Sequence, residues 1–98
     1  MMYGKPITVV SNPAGTAGLR VILIEFDMYL DGEQTTLVID QELTQVTDAV
    51  LLLLGTKTIE DIRRGSISML RWEIAETVNE TISSGVCFDV SIIQCVLQ

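Results

Sequence analysis

The sequence predicts an α+β fold, a small two-layer sandwich of about three strands with two long helices and one short helix. Three observations predict it. Ile67, Leu70, Ile74, Val78 and Ile82 recur at three- and four-residue steps and so line one face of a helix. Gly85 breaks that pattern, and Val86, Phe88, Val90, Ile92 and Val96 follow at even spacings, as in a strand running to the final residue, Gln98. Upstream, Ile22, Ile24, Phe26, Met28 and Leu30 form the wholly apolar face of a second strand.

Taken in order, Ile7 to Val10 is a short β-branched strand stopped by Ser11-Asn12-Pro13. Asn12 to Gly18 carries turn chemistry, with one proline and two glycines. The same glycines suggest a phosphate loop, but no Gly-Lys-Ser/Thr follows, so a hairpin connection is the expectation. Leu19 to Leu30 is the longest strand. Its second face, Val21, Leu23, Glu25, Asp27 and Tyr29, begins apolar and ends acidic, which predicts cover on both sides at its start and a solvated acidic end. A helix is expected from about Thr36 to Leu54, with Gly55 as its C-cap and a last turn apolar nearly all round through Leu51 and Leu52. Thr58 caps a short turn ending at Gly65, with Asp61 three residues on, and Ser66 caps the last helix, which runs to about Ser84.

Ninety-eight residues make one domain, 1–98, in which roughly 60–70% of the unfolded surface can be buried. A hydrophobic content of 48% and a mean hydropathy of +0.42 are high for a small soluble domain. They suit either a dense core or surface kept for a partner. A net charge of −7 excludes nucleic acid and anionic headgroups as direct ligands. The longest apolar run, Ala49 to Leu54, is far short of the approximately 20 residues of a spanning helix.

Catalytic and metal chemistry find little to work with. Histidine is absent, which removes the commonest metal ligand and general base. Glu25 and Asp27 face the same way but lack a second polar constellation. Cys87 and Cys95, within one strand, would lie about 26 Å apart, beyond disulfide reach, and no cation neighbours either thiol in sequence. No enzyme activity, no metal and no cofactor is expected.

The segment Asp48-Ala49-Val50-Leu51-Leu52-Leu53-Leu54-Gly55-Thr56-Lys57-Thr58-Ile59-Glu60-Asp61-Ile62 carries a further signal. So do Gly65, Leu70-Arg71-Trp72-Glu73-Ile74, Asn79 and the close Cys95-Val96-Leu97-Gln98. With the order of elements they resemble the periplasmic domain of the flagellar basal-body family FliL, densely from Asp48 onward. The family's usual aromatic near the terminus is here Cys95. Its usual N-terminal transmembrane helix is not in this chain, so the resemblance implies that the membrane anchor has been removed.

What the resemblance implies is a stomatin/SPFH-like fold at the periplasmic face of the bacterial inner membrane. It also implies a non-enzymatic motor component that forms homo-oligomeric rings and associates with the stator proteins MotA and MotB to support motility. A different class of reading is a small self-assembling protein, cytoplasmic or phage-encoded, unrelated to the flagellum. Under either, Trp72, Arg71 and Tyr29 are the candidate partner or oligomer contacts, because aromatics and arginine are enriched at contact hot spots. The competing expectation for Trp72 is that it merely flanks the core, and for the Lys57 to Asp61 and Leu70-Arg71 motifs that they serve capping and helix packing.

Overall fold

A computed structural model describes all of residues 1–98. Three strands, β1 (Ile7–Ser11), β2 (Ile22–Leu30) and β3 (Cys87–Leu97), form one antiparallel sheet in that order. Between β2 and β3 the chain makes four helices: α1 (Glu33–Gln41), α2 (Leu43–Gly55), α3 (Ile59–Arg64) and α4 (Ile67–Thr81). The α+β sandwich expected from the sequence is therefore present, with four helices instead of three.

The extra helix arises at Glu42. One long helix was expected there because no proline or glycine interrupts the pattern. Instead Glu42 leaves helical geometry (φ −108, ψ 21), and α1 begins three residues earlier than read, at Glu33. The Glu42 carboxylate accepts from the Ser83 backbone N–H (2.8 Å) and hydroxyl (2.7 Å), tying the break to the loop after α4. A tertiary contact has overridden local propensity there.

β2 is the centre of the core. Ile22, Ile24, Phe26, Met28 and Leu30 are all fully buried, as the alternation predicts. Against them lie Ile7 and Val9 of β1, Ile39 of α1, Val46, Val50 and Leu54 of α2, and Ile74 and Val78 of α4. Fully burying each such side chain is worth about 1.5–3 kcal/mol, so this single cluster dominates the stabilisation.

Two expectations for the sheet are corrected. The strand was read from Leu19, yet Leu19 is exposed and regular pairing starts at Ile22. The cover on the second face of β2 also differs from the expected gradient. At its start Leu23 is only half-buried and its neighbour Val10 is exposed, whereas Asp27, expected in solvent, is buried. Met1 to Tyr3 extend along the end of β2, with the Tyr3 N–H donating to the Met28 carbonyl (2.8 Å). The Gly4 N–H then donates to the Asp27 carboxylate at 3.1 and 3.2 Å. Long-range pairing of so short a segment leaves no periodic trace in a sequence.

β3 departs from simple alternation at two bulges. Its register on β2 runs Leu30↔Cys87, Tyr29↔Asp89, Met28↔Val90, Phe26↔Ile92, then Glu25↔Gln94 and Ile24↔Cys95. Phe88 and Ile93 are thus skipped, and both are exposed. Phe88 and Val96, read on one face with Val90 and Ile92, do not share it. Cys87 and Cys95 oppose the core-facing residues of β2 instead.

The caps of α3 and α4 are as expected, but Gly55, expected as a C-cap, is the last helical residue of α2 and Thr56 takes the cap. Thr58 and Asp61 form a reciprocal capping box on α3, and the Ser66 hydroxyl accepts from the Met69 N–H (3.0 Å) at the start of α4. Asn12 to Gly18 belongs to a hairpin loop that docks on the α2–α3 link through the Ala14 N–H and the Lys57 carbonyl (2.8 Å). Gly85 turns the chain at φ +87, and a Cβ there would come within 2.1 Å of the Thr35 hydroxyl.

Candidate interaction surface

The residues singled out on α4 divide into those that hold the fold and those that face solvent. Asn79 holds it. Its amide donates to the Cys87 carbonyl (2.8 Å) and its side-chain oxygen accepts from the Cys87 N–H (2.7 Å), at the outer edge of the sheet. Arg71 reaches the same strand one bulge further on. Its Nε donates to the Val90 carbonyl at 3.0 Å and its guanidinium pairs with the Asp89 carboxylate. That charge-assisted bond holds the Asp89 carboxyl below its usual range. Glu73, on the same helix, pairs with Lys57 in a half-buried bridge that fastens α4 to the start of α3.

Trp72 faces outward. It is 64% exposed, and across a shallow groove of about 360 Å³ stands Phe88, 68% exposed. Ala75, Glu76, Asn79 and Glu80 complete the groove. Arg71 and Tyr29 come together elsewhere, lining a hollow with Ile67, Val90 and Ile92. Tyr29 is 41% exposed, on the outer side of β2. Of the three candidate contacts, two therefore share one hollow, and Trp72 lies in a separate groove beside it. Phe88 is the surface residue that sequence reasoning missed. An even-spaced pattern placed it in the core, and only the bulge moves it out.

A third concavity, about 370 Å³, lies where α3 meets α4, walled by Ile62, Ile67, Met69, Leu70 and Cys95. Ile67 begins the apolar stripe of α4 yet is exposed, because the stripe meets the core only from Leu70, which is half-buried, and is buried from Ile74.

Burial pushes the Cys87 thiol up to about 11, and partial burial raises Cys95 as well, so neither is an activated thiolate at neutral pH. No group of three or more Cys, Asp or Glu side chains converges as metal ligands would. No helix is long and apolar enough to cross a membrane.

The sequence model of the family described as flagellar basal body-associated protein FliL matches residues 2–98. No curated protein matches the chain.

Proposed function

The chain belongs to the FliL family of flagellar basal body-associated proteins, and from that premise we propose that it is a non-enzymatic interaction domain of the flagellar motor. It works at the periplasmic face of the inner membrane. It assembles with copies of itself in a ring and associates with the stator proteins MotA and MotB, supporting motility. The match over residues 2–98 is the observation that carries this reading. Two features of the molecule support it. Large hydrophobic side chains, among them Trp72, Phe88, Ile67 and Leu52, stand in solvent on a domain of only 98 residues. Arg71 and Asn79 hydrogen-bond the backbone of β3 and so hold the helix that presents Trp72 to solvent.

Trp72, Tyr29 and Arg71 are the proposed contacts, Trp72 foremost because its side chain has the largest free surface of the three. Co-purification of stator proteins with the domain, together with sedimentation of the purified domain, tests the proposal. Self-association and stator capture, both reduced by Trp72→Ala without loss of thermal stability, are the expected results. A strictly monomeric domain that captures no stator protein contradicts it.

A further inference from the structure

The groove between α4 and β3 has a chemistry that the fold itself does not explain. Trp72, Glu76 and Glu80 are spaced four residues apart, so one aromatic and two carboxylates stack along the solvent face of α4. Like charges at that spacing oppose helix formation. Glu80 also lies in the last turn, where the helix dipole disfavours an anion and no basic residue balances it.

Nothing within the chain offsets either cost. Of the six cations, Lys5, Lys57, Arg64 and Arg71 pair with Asp40, Glu73, Glu60 and Asp89, Arg20 bonds the Gln98 carbonyl, and Arg63, in the last turn of α3, pairs with no carboxylate, those of Glu76 and Glu80 included. Glu76 and Glu80 have no intramolecular cation and no hydrogen-bond donor. The second wall is equally uneconomical in isolation. The bulge that skips Phe88 lifts a large aromatic out of the ladder and leaves it in water opposite Trp72. A local rule broken on both walls of one groove, without compensation inside the fold, marks a place where the compensation comes from outside.

We propose that the Trp72–Phe88 groove binds a basic segment of a partner protein, an arginine or lysine side chain lying against the two rings with Glu76 and Glu80 as its counter-charges. The aromatic faces attract a cation through their quadrupoles, most strongly for tryptophan. An arginine guanidinium fits best, since it stacks flat on a ring while its donors reach carboxylates at the rim. The groove's volume of about 360 Å³ suits one long side chain with its backbone. The net charge of −7 adds long-range attraction for such a segment. This deepens the proposed role by naming the partner's chemistry, and it rests on that reading only in taking the domain as an interaction module.

Trp72 is the sole tryptophan, so its emission reports on the groove directly. The purified chain is titrated at physiological ionic strength with a capped peptide of alternating arginine and serine. The expected result is a saturable change in Trp72 emission. Affinity should fall about tenfold in the exposed double variant Glu76→Gln/Glu80→Gln. It should stay within about twofold in Glu33→Gln/Asp48→Asn, which removes the same charge from carboxylates outside the groove. Circular dichroism confirms that both doubles are folded. An unchanged Trp72 emission, or equal loss in both doubles as general attraction to a polyanion would give, overturns the proposal. So does a groove filled by a second copy of the chain that the peptide cannot displace. Motility does not enter these readouts, so their failure leaves the flagellar assignment standing and its failure leaves them standing.

Discussion

At the scale of single residues, Asn79 supplies to Cys87 both the donor and the acceptor that a neighbouring strand would have supplied. An open edge strand invites pairing with foreign chains, and α4 closes part of this one with Asn79 and Arg71. Asn79→Ala leaves a backbone N–H and a carbonyl at Cys87 without their partners. A loss of about 1–3 kcal/mol in urea unfolding is expected, larger than for an exposed polar residue elsewhere.

Carboxylates form a second residue-scale group. Asp31, Asp40, Glu42, Asp61 and Asp89 all titrate below their ordinary range, for local reasons. Thr35 and the Val86 N–H bond Asp31, the Tyr3 hydroxyl and Lys5 bond Asp40, Ser83 bonds Glu42, Thr58 bonds Asp61 and Arg71 bonds Asp89. Because the folded values are depressed, protons bind the unfolded chain more readily. The stability these groups contribute is fully present above the unfolded values of 3.8 and 4.5 and is lost as pH falls through the lower folded ones. The urea midpoint should therefore hold steady near neutrality and drop below about pH 4. A midpoint unchanged through that acid range contradicts the assigned bonds.

At the scale of elements, α3 and α1 show what a sequence does and does not carry. α3 has six residues and buries none of them, so its formation depends on its ends. Those ends are local chemistry, Thr58 with Asp61, and were legible at once. Thr58→Ala should cost about 1 kcal/mol. The loss should appear first as faster amide exchange within Ile59–Arg64, with the core amides of β2 changing only through the global shift. The break at Glu42 was illegible for the opposite reason: its cause is Ser83, which is distant in the chain. The bulges in β3 are the same kind of event. Even spacing from Val86 to Val96 concealed them, because hydrophobic residues occupy both the paired and the skipped positions.

At the scale of the whole molecule, the sheet has one face in the core and the other partly bare. The apolar face of β2 and the stripe of α4 from Ile74 onward were readable because burial imposes period on them. The exposed surface imposes none. Trp72 was accessible to inference as an aromatic off the stripe. Phe88 was not, because its exposure depends on register, and Asp27 was misplaced because Met1 to Gly4 fold back over it. What remains outside the core is an acidic body carrying an aromatic groove, and the proposal is that it is suited to meeting other proteins.

That suitability has its most direct test in single-motor torque. Cells lacking the gene are complemented with the native protein or with Trp72→Ala, and rotation of a bead tethered to one flagellum is followed under load. The account predicts reduced torque in the deletion, full restoration by the native protein, and incomplete restoration by a Trp72→Ala protein present at normal level and melting normally. Normal torque in the deletion strain would contradict it.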